Sequence, residues 1–327
     1  MSELHKFIFE GLPVRGALVV LTDAWQEVLR RRAANTQTGA YPPPVAELLG
    51  EMAAAAVLMQ SGIKFDGALV MQIFGDGPVK LAVAEVQSDL RLRATASVTG
   101  AVPPGAMLAE LVNAHGQGRC AITLDPRLRL PGQQPYQGVV PLAGPGGVAL
   151  RGVAEVIEQY MRQSEQLDTT LVLAADGMRA AGLLLQRLPV QGQHNLAQSH
   201  VAREEGAVDD DAFERLSLLA RSLKRDELLE LDADTVLRRL FWQEPLQRFE
   251  PRQGASGPRF ACSCSRERVG AMLKGLGRDE AESILREQGQ VEVSCDFCGQ
   301  QERFDAVDVG RLFTPAAQQP PQPGSVQ

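Results

Sequence analysis

Cationic excess is missing from this sequence. Its 33 Lys and Arg stand against 40 Asp and Glu, a formal charge of −7 with a pI near 5.3. A surface that binds nucleic acid by neutralising phosphates needs a surplus of Lys and Arg, so that class is disfavoured. Long apolar runs are missing too. No stretch approaches the roughly 18 residues a membrane span requires, and the opening MSELHKF has no cationic start leading into an apolar core and a small-residue cleavage site. The expectation is a soluble, cytoplasmic protein with no nucleic-acid and no membrane partner. Histidine is scarce: His5, His115, His194 and His200 are scattered without ligand spacing. There is no internal repeat, and Gly144-Pro-Gly-Gly147 matches neither phosphate-binding fingerprint, so it reads as a loop.

What the chain does have is a globular composition, 44% hydrophobic and 22% charged, over 327 residues, enough for two domains of ordinary size. Up to about Pro189, strand-like and helix-like stretches alternate. GALVVLT (16–22) reads as a buried strand running into an amphipathic DAWQEVLRRR. After Pro42-Pro43-Pro44, VAELLGEMAAAAVLMQ (45–60) is built from strong helix formers. GALVMQIF and VKLAVAEV flank the turn Gly75-Asp76-Gly77-Pro78 as a β-hairpin, and LRLRATASV alternates with period two as a third strand. GRCAITL, YQGVVPL and TTLVLAAD add strands around a helix at 152–163. These stretches predict a mixed α/β domain over residues 1–189.

The character changes after Pro189. Residues 189–200 are polar and loop-like, and 203–250 hold 13 acidic and 8 basic residues. Helical stripes persist there: Phe213, Leu216, Leu219 and Leu223, then Leu228, Leu231, Val236, Leu237, Leu240 and Phe241. Helices this charged have narrow apolar stripes and depend on docking, because short isolated helices are marginal in water. Residues 190–250 read as a charged, metastable helical linker, with an ordinary solvated helical hairpin as the plainer reading. The final segment, 314–327, is rich in Pro and Gln, carries no charge and is expected to be disordered.

The chemistry sits in the cysteines. Cys120 stands alone in a strand-like GRCAITL and is expected to be a buried small hydrophobe. Cys262, Cys264, Cys295 and Cys298 form C-x-C, a gap of 30 residues, then C-x-x-C followed by Gly299. Clustered thiols in a chain without an export signal point to metal or redox chemistry rather than to static disulfides. C-x-x-C-G has the shape of a zinc knuckle, with VEVS and QQERF as hairpin arms. Between the pairs, Ser265 caps a helix through RERVGAMLK, and DEAESILREQ forms a second helix stopped by Gly289. Residues 251–313 therefore read as a four-cysteine zinc domain. The expected fold class is α+β: a mixed α/β amino-terminal domain, a helical linker and a small zinc-bound carboxyl-terminal domain.

A module of this size buries too little apolar surface to offset its chain entropy, and structural zinc supplies roughly 10–16 kcal/mol of apparent binding free energy to such modules. Oxidising one thiolate removes a ligand, so oxidation should unfold the module. Bridges within each pair would close tiny loops and stabilise little, and a C-x-C bridge is strained and readily reduced. Those are properties of a switch, although a four-cysteine ribbon that never oxidises fits the spacing as well. Three rival classes fare worse. Residues 262–313 hold 7 basic and 10 acidic residues, a poor nucleic-acid ribbon. A thiol oxidoreductase would place C-x-x-C at a helix start in a βαβ unit. A zinc hydrolase needs an open coordination position, which four thiolates close.

FACSCSRER (260–268), the 30-residue gap and CDFCG (295–299) resemble the redox-switch domain of the thirty-three-kilodalton chaperonin family, heat-shock holdases. KFDG (64–67), YQGVVPL (136–142), YMRQSEQ (160–166) and AGLLLQ (181–186) are similar to segments of that family's amino-terminal domain in the same order. The resemblance implies a chaperone, not an enzyme, inactive when reduced with one Zn²⁺ held by Cys262, Cys264, Cys295 and Cys298. It implies that oxidants such as hypochlorous acid, or peroxide with heat, form Cys262–Cys264 and Cys295–Cys298 bridges, release zinc and unfold the linker. The partners it implies are unfolding client proteins, a second copy of the chain when active, and ATP-dependent chaperones that receive the clients.

Overall fold

The computed structural model describes residues 1–35, 38–128, 132, 134–189 and 211–314. The loop and acidic run expected at 190–210, and the expected disordered tail beyond Thr314, lie outside the described residues. The chain divides into two compact units, Met1–Ala261 and a second that begins at Cys262. Helices and sheets are mixed, as expected of an α+β chain.

The first unit is organised around α2 (Pro43–Gly62). Pro43 and Pro44 occupy its first turn, where the missing N–H groups would have had no helical partner. Fourteen of its 20 residues are buried, and a helix apolar on every side is one enclosed by the fold. The small side chains Ala53, Ala54, Ala55 and Ala56 let strands approach closely. At Gly50 even a Cβ would lie 2.5 Å from the Cβ of Ala175, so only glycine fits there.

Two six-stranded sheets flank this helix. One contains β1 (Glu3–Phe9), β2 (Val14–Leu21), β8 (Thr169–Ala175), β9 (Ala180–Arg187), β10 (Leu246–Arg248) and β11 (Arg252–Gln253). Its order is β10-β1-β2-β9-β8, with β11 also on β1. The other runs β12-β5-β4-β3-β6-β7, from β3 (Gly67–Phe74), β4 (Val79–Gln87), β5 (Arg91–Val98), β6 (Arg119–Pro126), β7 (Tyr136–Pro141) and β12 (Arg259–Phe260). Neighbours are antiparallel except β12, which joins β5 in parallel. α1 (Asp23–Ala33), α3 (Leu108–Val112) and α4 (Val153–Gln163) complete the layer around α2.

The first sheet is apolar on both faces. In β2 only Arg15, and in β9 only Arg187, escape full burial. Ala17, Val19, Leu21 and Leu184 face the α2 core, whereas Leu18, Val20, Leu183 and Leu185 belong to a second core on the other side. That second core is closed by α5 (Ala212–Arg221), α6 (Arg225–Glu230) and α7 (Ala233–Phe241). The expected stripe residues Leu216, Leu228, Val236, Leu237, Leu240 and Phe241 are all buried against the sheet. Phe241 meets Phe9 edge-on, with ring centroids 5.1 Å apart. A solvated hairpin is therefore not what forms; these helices are docked. Polar fasteners join them to the sheet layer: a buried Thr170–Ser217 hydroxyl bond of 2.8 Å, an Arg221–Glu158 ion pair of 3.1 Å, and Arg225 of α6 between Glu47 (3.3 Å) and the Ala175 carbonyl (2.5 Å).

Residues 252–260, expected to open the cysteine domain, instead belong with the first unit. β11 pairs with β1 and β12 with β5, and the Ala261 N–H donates to the Leu92 carbonyl at 3.0 Å. Cys120 is fully buried in β6, and burial pushes its thiol up to about 12, as an inert core residue requires. Gly144–Gly147 forms a short 3₁₀ turn, consistent with a loop.

Candidate metal centre

The second unit is built around a hairpin. β13 (Val291–Ser294) pairs with β14 (Gln301–Phe304), and the turn between them carries C-x-x-C. The Cys295 N–H donates to the Gln300 carbonyl at 2.9 Å and the Gly299 N–H to the Cys295 carbonyl at 2.8 Å. Gly299 takes φ +70, the left-handed conformation that lets the chain turn under the two sulfurs.

The C-x-C segment lies at the start of α8 (Arg266–Leu276), whose first turn is capped by Ser265 Oγ accepting from the Arg268 N–H at 3.3 Å. α9 (Arg278–Gln288) ends at Gly289, φ +78. α10 (Ala306–Leu312) follows β14, capped by Asp305. These elements enclose a core cluster of five buried side chains, Leu273, Ala281, Val291, Phe304 and Val309.

One residue whose role spacing left unread ties C-x-C to the hairpin. Arg266 donates to the Arg303 carbonyl at 2.7 Å and to Asp308 at 2.6 Å, and its guanidinium lies 4.2 Å from the centroid of the Phe304 ring. It thereby fixes α8 against β14 and α10 at the residue that follows Cys264-Ser265. Its position directly after C-x-C-S was the available signal, but spacing says nothing about its partners.

All four expected cysteines converge. Their sulfurs lie within 4.8 Å of one another, Cys262 to Cys295 at 3.6 Å and Cys264 to Cys298 at 3.2 Å. Cys298 is buried and the other three are half-buried. The Cys264 thiol also donates to Oε1 of Gln300 at 3.6 Å. A hydrogen bond from the Cys295 thiol holds Cys262 down at about 4, and the Cys264 N–H adds to this. Its partner Cys295 is pushed up by the same hydrogen bond, although the N–H groups of Cys298 and Phe297 point at its sulfur. Burial pushes Cys264 up to about 12. Cys262 thus ionises easily, while Cys264 and Cys295 resist. Four thiolates this close require a cation among them, and this group could hold a metal ion. Among the described residues, neither His5 nor His115 belongs to this group.

Comparison with known proteins agrees with this arrangement. The family model described as "Hsp33 protein" matches residues 2–305. A protein named 33 kDa chaperonin from Chromobacterium violaceum is 44% identical over 315 residues, 95% of this chain and 94% of that one. Another of that name from Methylobacillus flagellatus is 40% identical over 314 residues, 96% of this chain and 94% of its own. Among solved structures, the crystal structure of 33 kDa chaperonin (heat shock protein 33 homolog) from Thermotoga maritima matches with a TM-score of 0.69 at 20% identity. It covers 95% of this chain and 97% of that one, a likeness of fold. With a family match running from Ser2 into the last hairpin, and relatives of this identity over nearly their whole length, the chain belongs to the Hsp33 family.

Proposed function

We propose that this chain is a redox-regulated, ATP-independent holdase of the cytoplasm, a binder of unfolding proteins rather than an enzyme. In this reading residues 1–189 bind clients and dimerise, 190–250 form the metastable linker, and the unit at the carboxyl end is the switch. The observation that carries it is a four-sulfur cluster in a unit whose own core cluster holds five buried side chains. A core so small does not hold a fold alone, so what holds the sulfurs holds the unit.

Zinc fits the donor set. A tetrahedral ion with bonds of about 2.3 Å sets its sulfurs roughly 3.8 Å apart, and the sulfurs here lie between 3.2 and 4.8 Å apart. When bound, one Zn²⁺ would hold all four sulfurs as thiolates and close the unit. Oxidation by hypochlorous acid would take two electrons from each pair of thiolates, join the sulfurs, and leave chloride and hydroxide. A sulfur in a disulfide is no longer a thiolate donor, so bridges at Cys262–Cys264 and Cys295–Cys298 dismantle the site.

The docked helices supply the response. α5, α6 and α7 have 10, 6 and 9 residues, too short to persist in water by themselves. The sheet face beneath them carries Phe7, Phe9, Leu18, Val20, Leu183 and Leu185. Undocking would expose these side chains as one apolar patch, the kind of surface that captures unfolding clients by hydrophobic contact. Active chains would then pair as homodimers and hand clients to ATP-dependent chaperones. Adding oxidant to the purified reduced protein should release zinc and suppress aggregation of a heat-denatured client together; zinc lost with aggregation unchanged refutes the coupling. A zinc ribbon without redox switching, or a thiol oxidoreductase, remains the alternative, and insulin-reduction turnover separates the latter.

A further inference from the structure

Away from the cysteines, the first unit contains a cavity of about 90 Å³, open to solvent at one side. It lies where the carboxyl end of α2 meets β2 and β9 of one sheet and β3 and β6 of the other. Leu58, Leu69, Ile122, Met161 and Leu184 make its walls apolar. Arg15 of β2 enters those walls. Its Nε donates to Oε1 of Gln186 at 3.0 Å, and Nη2 reaches the same oxygen. Burial lowers its proton affinity, and no carboxylate among the described residues offsets that.

Arg15 is not alone. Lys6 of β1 donates to the Ser61 carbonyl at 2.9 Å, and its pKa is lowered by burial, then by repulsion from Arg15 and Arg252. The carboxyl end of α2 accounts for Lys6, since a helix terminus attracts a cation. It does not account for Arg15, whose Nε and Nη2 among the described residues donate to the neutral amide oxygen of Gln186. The acid in the cavity wall, Glu165, already accepts from the hydroxyls of Tyr160 at 2.7 Å and Tyr136 at 3.1 Å.

We infer that this cavity, with Arg15 in its wall, is a binding site for a short-chain fatty acid. The carboxylate would take the guanidinium in a bidentate pair, the geometry at which arginine excels. The chain would lie against the leucines and Ile122. At roughly 10–15 Å³ of such space for each water-sized group, about 90 Å³ takes six to nine groups, so a chain of four to six carbons with its carboxylate fits between the walls. Each methylene buried adds about fourfold to affinity.

Hexanoate titrated calorimetrically into the reduced full-length chain should bind at one site per chain. Butanoate should bind about fifteenfold more weakly, and uncharged hexan-1-ol at least tenfold more weakly than hexanoate. Arg15→Gln should lose hexanoate at least tenfold while Arg15→Lys keeps most of it, with circular dichroism confirming the fold. Leu167→Trp, at a half-buried lining position, should fill the cavity and abolish binding. Hexan-1-ol binding as tightly as hexanoate, unchanged affinity in folded Arg15→Gln, or no saturable binding to the parent chain would each overturn the site. Should Arg15→Gln fail to fold, unchanged hexanoate affinity in Leu167→Trp overturns it.

Discussion

In the reduced chain the sulfur of Cys264 lies 3.2 Å from that of Cys298, on the far side of the cluster, and Cys262 faces Cys295 in the same way at 3.6 Å. Both of these contacts are crosswise, between the C-x-C and the C-x-x-C segments. The two pairings have opposite consequences. Crosswise bridges would link residues 33 and 34 positions apart, each worth roughly 4 kcal/mol in lost denatured-state entropy, and would staple the unit shut. Bridges inside each pair close rings too small to stabilise anything, and leave a five-residue core cluster unsupported.

Peptide mapping of the oxidised, alkylated protein should therefore find Cys262–Cys264 and Cys295–Cys298. Crosswise bridges as the main products would mark a unit that survives oxidation closed and would refute the switch.

Cys298→Ser replaces the buried member of the cluster. Zinc content should fall from one per chain towards zero, and residues beyond Cys262 should become protease-sensitive under reducing conditions. Client aggregation should then be suppressed without oxidant.

Phe241→Ala removes the ring that packs between Phe7 and Phe9, at 6.2 and 5.1 Å. A buried Phe→Ala change costs about 3–5 kcal/mol, enough to favour undocking of α7. Dye binding to exposed apolar surface and suppression of client aggregation should both rise in the reduced, zinc-loaded protein. A folded variant with unchanged dye binding would show that these helices do not cover the client surface.

Glu51 on α2 is held at about 7, chiefly by burial, with Glu47 adding to the shift and Arg225 opposing it. The folded chain therefore keeps a proton that the unfolded chain, with an ordinary value of 4.5, releases. Its contribution to stability is greatest below pH 4.5 and is lost as the pH rises through 7. Glu51→Gln should stabilise the protein by about 1–3 kcal/mol at pH 8 and by almost nothing near pH 4.5. Thermal melts at the two pH values measure the difference.

Most of the first unit was legible because its elements repeat with clear periods. β3, β4 and the turn between them, α2 and the Gly289 stop all follow from pattern and punctuation. β9 was not read as a strand: AAGLLLQR is buried on both faces and so shows no alternation. β1 was missed because ELHKFIF mixes buried and exposed positions without a regular period. The stripes of α5 and α7 were visible, but their destination was not, since a stripe says that a helix docks and not where. At the metal centre the four ligand candidates were legible from spacing, whereas the crosswise distances and the Arg266 brace depend on how α8 meets the hairpin.

The most direct measurement strips the metal from the reduced chain with a chelator, with no oxidant present, and follows zinc content and hydrogen exchange of residues 262–314 on one sample. If the metal holds the unit closed, exchange protection there should disappear as zinc leaves, while α2 and the two sheets keep theirs. A metal-free chain that retains protection from Leu273 to Val309 would contradict the central claim.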